Sequence, residues 1–93
     1  MQRVLVSEHI TSGAWADRPL DGSLATEGRA MLVALAEDLS ADPEIEVVTT
    51  WDARLGRFPV ETVEVEVVQS VAASDEAFGR LAGRSDRTLV IAP

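Results

Sequence analysis

Apolar positions along the chain recur in two rhythms, and the places where the rhythm changes outline the elements. Arg3 to Ser7 holds the unbroken apolar, valine-rich run Val4-Leu5-Val6, the pattern of a strand buried on both faces. A polar stretch with Gly13, Pro19 and Gly22 follows, from Glu8 to Gly22. Then Leu24, Gly28, Met31, Leu32, Leu35, Ala36 and Leu39 recur at helical spacing, with Glu37 and Asp38 on the other side. Ser23 is the expected N-cap, Glu27 suits the first turn, and Asp42-Pro43 ends the helix. Glu44 to Thr49 reads as a second strand. Thr62 to Val68 reads as a third, where Val63, Val65 and Val67 alternate with Glu64 and Glu66 as on an edge strand with one wet face. Ser74 or Ser70 caps a shorter helix with Asp75 and Glu76 in its first turn, Phe78, Leu81 and Ala82 on its apolar stripe, and Arg80 and Arg84 near its end. Thr88 to Ala92 is a last apolar strand.

This β-α-β-loop-β-α-β order, with right-handed crossovers, predicts an α/β, Rossmann-like three-layer fold over residues 1–93. Its sheet is mostly parallel, with four strands in the order 3-2-1-4 and two main helices on opposite faces. The Glu-rich third strand then sits at one edge. The fourth strand, apolar like a central one, sits at the other, so a further helix and strand beyond Pro93 are expected to cover it. Its bare edge also suggests a homodimer paired through the fourth strand.

Composition narrows the functions. The 93 residues contain no cysteine, which removes disulfides, thiolate metal sites and cysteine nucleophiles. A net charge of −8 argues against a nucleic-acid partner, because phosphate binding needs clustered cations. No apolar run has the length of a membrane span or a signal-peptide core, so a cytoplasmic location is expected. All eight basic residues are arginine, and without lysine no Walker-type phosphate loop is possible. Gly13 and Gly22 are too far apart for a dinucleotide fingerprint. His9, the sole histidine, cannot build a multi-histidine metal site. A phosphoacceptor site is disfavoured too, since the first strand ends in one acid.

The candidate binding residues are Glu8, Thr11, Ser12 and Gly13, which follow the first strand. In open α/β sheets, ligands bind beyond the carboxyl ends of the strands where strand order reverses. Here that point lies between strands one and four, beside Glu8 to Gly13 and Pro93. Gly13 lets backbone approach a ligand, while Thr11 and Ser12 offer donors. An ordinary surface loop in which Glu8 bonds its neighbours accounts for the same residues. Trp51-Asp52-Ala53-Arg54 suggests a closed apolar end followed by a turn. Trp15 stands in a polar loop, either as a lid over the switch point or packed on another domain.

Several segments together resemble the N-terminal, pre-ATP-grasp domain of ATP-grasp ligases, in the branch containing tyramine–glutamate ligase-like proteins. They are Val4-Leu5-Val6-Ser7-Glu8 with Thr11-Ser12-Gly13; Ser23-Leu24, Glu27-Gly28, Met31-Leu32 and Leu35; Val47-Val48-Thr49-Thr50 with Asp52 and Arg54; and Thr88-Leu89-Val90-Ile91-Ala92-Pro93. Related proteins often carry a Gly-Gly pair where this chain has Gly13-Ala14. The resemblance implies ATP-dependent joining of a carboxylate to an amine through an acyl phosphate. ATP and Mg²⁺ would be held by later domains of a parent chain, which are the implied partners. No catalytic residue transfers to this chain, whose implied role is scaffold and part of the substrate wall. A stand-alone Rossmann-like ligand-binding, regulatory or interaction domain is the alternative.

Overall fold

The computed structural model describes residues 1–92. Four strands, β1 (Gln2–Glu8), β2 (Ile45–Asp52), β3 (Glu64–Val68) and β4 (Arg87–Ile91), form one sheet in the order β3-β2-β1-β4. Every neighbouring pair is parallel, including β3, whose direction the sequence left open. Helix α1 (Ser23–Ser40) joins β1 to β2, and α2 (Val71–Gly83) joins β3 to β4. Because side chains alternate across a strand, β1 supplies both layers of core. Val4 and Val6 pack with Val47, Trp51, Leu32 and Ala36 on the α1 face. Leu5 packs with Val48 and Leu81 on the α2 face. The expected fold class, strand order and two-sided helix placement all hold.

Local details differ from expectation for tertiary reasons. Gly22, at φ 93°, is the N-cap of α1 and Ser23 its first residue, with no side-chain cap, so Glu27 lies beyond the first turn. The buried line of α1 is Ala25, Gly28, Leu32 and Ala36, while Leu24 and Met31 are about half exposed at 51% and 52%. Ser70 caps α2 by accepting from the Ala73 N–H at 3.0 Å, which leaves Ser74 buried inside the helix. Asp75 and Glu76 therefore fall after the first turn, and Glu76 pairs with Arg80 one turn on.

β2 runs three residues further than its apolar pattern suggested, because Thr50, Trp51 and Asp52 pair with Glu66, Val67 and Val68. Trp51 is fully buried there, edge-on to Phe58 with ring centroids 4.8 Å apart, and its indole N–H donates to the Gly56 carbonyl at 2.8 Å. The glutamate face of β3 is not simply wet. Glu66 is half-buried and ion-paired to Arg80 of α2, and Glu64 pairs with Arg3 at 2.8 Å. Glu64 stays exposed despite its pair, and Val67, on the other face, is exposed too, at 54%. At the opposite edge β4 is open to solvent from Arg87 through Val90, with Ile91 half-buried.

Candidate functional site

The strand order reverses between β1 and β4, and β1 ends there in Glu8. Although charged, Glu8 is 1% exposed. The chain after it winds into one wide helical turn, Ile10–Ala14, rather than an open loop. The Glu8 carboxylate explains this turn. One oxygen accepts from the Thr11 N–H at 2.9 Å and the Thr11 hydroxyl at 2.7 Å; the other accepts from the Ile10 N–H at 3.1 Å. It thus satisfies backbone donors that the start of a helical turn leaves free. Helix α1 makes room at Gly28, where an added Cβ would stand 2.6 Å from Glu8 Cδ.

The other expected residues complete this knot. Ser12 Oγ accepts from the Glu8 N–H at 3.1 Å, and the Ser12 carbonyl accepts from Thr50 Oγ1 at 2.9 Å and Ser74 Oγ at 3.0 Å. Three strands or helices are tied to one loop residue. Gly13 has φ 114° and lies so close to α2 that a Cβ would meet Ser74 Cβ at 2.8 Å; either fact excludes an L side chain. Glu8, Thr11, Ser12 and Gly13 are therefore brought together and all buried, with the Thr11 and Ser12 hydroxyls engaged internally. His9 is exposed beside them. Pro93, also expected at this point, lies outside the described residues.

Two clefts flank the knot. On the α1 side, Glu8, Leu24, Glu27, Gly28, Met31, Ile91 and Ala92 line a space of about 160 Å³. On the α2 side, Ser12 lines a second one, of about 240 Å³, with His9, Ser74 and Val90. Glu8 thus opens on the first cleft and Ser12 on the second. The sequence did not single out Gly28, Glu27 or Met31 as site residues. The available signal was Gly28 itself, a glycine inside a helix at a cost of about 1 kcal/mol, which a close neighbour is one way to explain.

A second polar cluster sits at the end of β2. Asp52 is 1% exposed and accepts from Arg54 N at 2.9 Å, Nε at 3.0 Å and Nη2 at 2.8 Å. Those bonds to the Arg54 guanidinium outweigh the opposing effect of burial and hold its carboxyl below the usual carboxylate range. Arg54 also donates to the Arg18 carbonyl at 2.5 Å and the Trp15 carbonyl at 2.7 Å. The arginine is a latch that fastens the loop before α1 to β2. Trp15 is half-buried in that loop, with the Arg18 guanidinium 5.5 Å from its ring centroid. Its place is with the latch.

Among the described residues no three His, Cys, Asp or Glu side chains gather so as to hold a metal ion, and no helix is long and apolar enough to cross a membrane. No curated protein and no solved structure matches the chain significantly. The profile of the pre-ATP-grasp 3 domain family matches residues 45–93, from the start of β2 through β3, α2 and β4. That stretch contains Thr50 and Ser74, which hold the Ser12 carbonyl, and Ile91, which lines the Glu8 cleft. The match covers more than half of the sequence, and the chain belongs to the pre-ATP-grasp 3 domain family.

Proposed function

We propose that this domain stands at the N-terminal side of an ATP-grasp ligase, in the branch of tyramine–glutamate ligase-like proteins. Its role there is to build one wall of the acceptor-substrate site around Glu8, Thr11, Ser12 and Gly13. The observation that carries the reading is a buried carboxylate, Glu8, at the reversal point of the sheet in a chain of this family. The whole enzyme would join a carboxylate to an amine, with ATP and Mg²⁺ activating the carboxylate.

The residues of this chain do not suit that nucleotide or metal. The sequence has no lysine, and the described carboxylates are dispersed or already paired. Its contribution is positional. The Ser12 carbonyl, held by Thr50 and Ser74, fixes the turn against both β2 and α2, and the turn fixes the Glu8 carboxylate. A substrate group meeting Glu8 would meet a side chain with little freedom left to lose, which is the advantage of a preorganised site.

The test is ADP release by the polypeptide that carries this domain together with an ATP-grasp segment. ADP formed only when both an amine and a carboxylate are supplied supports the reading. A carrier polypeptide without an ATP-grasp segment, or ADP formation indifferent to amine, would contradict it. The exposed Leu89 and Val90 of β4 favour a second reading, an interaction domain that pairs through that edge.

A further inference from the structure

We propose that the cleft between α2 and the ends of β1 and β4 binds a neutral polyhydroxyl ligand the size of a single sugar ring. This goes beyond the ligase reading, which rests on Glu8, a side chain that opens on the opposite face of the sheet. Three observations carry it.

The first is the Ser7 hydroxyl. Side chains alternate along β1, so Ser7 shares the α2 face with Leu5, and it pairs in register with Val90 of β4. On that face Leu5, Val48 and Leu81 form a core layer with Phe78 packed against it, and the layer stops at Ser7. Ser7 is only 8% exposed, yet among the described residues nothing hydrogen-bonds its side chain. No unpartnered side-chain oxygen or nitrogen among those residues is fully enclosed, so the Ser7 hydroxyl opens on the cleft that it lines. A polar group held at a largely buried position without a partner is costly, and a ligand hydroxyl reaching it removes that cost. The second observation is what two further serines have left over. Ser12 Oγ accepts from the Glu8 N–H at 3.1 Å, and its own O–H has no acceptor among the described residues. Ser74 Oγ donates to the Ser12 carbonyl at 3.0 Å, which leaves its lone pairs free. Together with Ser7, which can do either, the three complement ligand hydroxyls, each of which also donates and accepts.

The third is the charge and shape of the remaining lining. Its ionisable side chains, His9 and Asp75, are both exposed, and no charge is buried in the cleft. An entering ion would lose hydration with no enclosed counter-charge to replace it, so the cleft selects a neutral body. The Asp75 carboxylate has acceptor sites for two neighbouring ligand hydroxyls. Phe78, half-buried, and Val90, 60% exposed, offer apolar surface to the C–H face of a ring. The volume, about 240 Å³, is roughly eight times one water molecule's share of the liquid, room for one sugar ring and too little for a nucleotide.

Isotope-labelled chain titrated with methyl α-D-glucopyranoside tests the assignment, with cyclohexanol, acetamide and glucuronate as single-hydroxyl, amide and anionic controls. The expected result is saturable amide shifts at Ser7, His9, Ser74 and Val90, none at Gly28 or Met31 across the sheet, and affinity at least about fivefold weaker for each control. Ser7→Ala should weaken the glycoside about three- to tenfold, the worth of one hydrogen bond, and leave the urea midpoint unchanged because the hydroxyl has no internal partner to lose. Asp75→Ala, whose side chain is exposed and whose fold is not at risk, should weaken it about threefold. No saturable shift, shifts confined to the Glu8 side, or a control that binds as well as the glycoside would each overturn the proposal. So would unchanged affinity in Asp75→Ala, or a lowered urea midpoint in Ser7→Ala, which would show that the hydroxyl is already engaged within the domain. These readouts need no nucleotide and no ligase activity, so the cleft assignment and the ligase reading can fail separately.

Discussion

Gly28 and Gly79 both interrupt helices, yet they answer to different neighbours. A Cβ at Gly28 would run into the Glu8 carboxyl, 2.6 Å from its Cδ, whereas a Cβ at Gly79 would meet nothing within 4 Å. Gly28→Ala should therefore destabilise the domain by about 1–3 kcal/mol through overpacking, while Gly79→Ala should stabilise it by up to about 1 kcal/mol through helix propensity. Urea unfolding of both variants checks this, and equal effects would mean that α1 does not seat on Glu8 as described. Asp52 carries a pH prediction. Bonds from Arg54 hold its folded pKa below the unfolded value, so the stabilisation is complete above the ordinary carboxylate range and is lost as pH falls through the folded value. Asp52→Asn should be less stable than the native chain at pH 7, and the gap should narrow as pH drops below about 4. A gap that stays constant down to pH 2 would remove Asp52 from the acid limb.

At the scale of elements, the sequence reported whatever a two- or four-residue rhythm can encode. Val4-Leu5-Val6 marked a strand covered on both sides, and β1 feeds both core layers. The alternation of β3 placed it at an edge, where it lies. What escaped depended on contacts distant in sequence. Thr49-Thr50 reads as the polar end of a strand, but Thr50 donates to the Ser12 carbonyl 38 residues away, and β2 continues through Trp51 to Asp52. Glu66 reads as a solvated edge charge, but Arg80 approaches it from α2 and lowers its pKa. The candidate residues were legible as a location because topology fixes where strand order reverses. Their burial was not, since it requires Gly28 to withdraw its side chain and Ser74 to reach across from α2. The α1 cap was misplaced for a related reason: Gly22 occupies it through its φ of 93°, a backbone property that a serine next to it conceals.

For the molecule as a whole, the two sheet edges differ in charge. β3 carries Glu64 and Glu66, whereas β4 presents Leu89 at 39% exposure and Val90 at 60% along an edge that, among the described residues, has no partner strand. Unpaired backbone groups flanked by apolar side chains favour pairing with another strand, and the net charge of −8 opposes it until salt screens the repulsion. The domain alone should therefore self-associate more strongly at high salt, and Val90→Lys should return it to monomer; sedimentation that shows a monomer at every salt concentration would contradict this. The central claim, that the domain supplies substrate wall while nucleotide and metal are held by its ATP-grasp partner, is tested most directly by reconstitution. The ATP-grasp segment is assayed for amine- and carboxylate-dependent ADP release with and without the 93-residue chain added in trans. The account predicts that the chain alone releases no ADP, that the segment alone binds Mg·ATP but joins no substrates, and that mixing them restores ligation. Full ligation by the segment alone, or ATP hydrolysis by this chain alone, would contradict it.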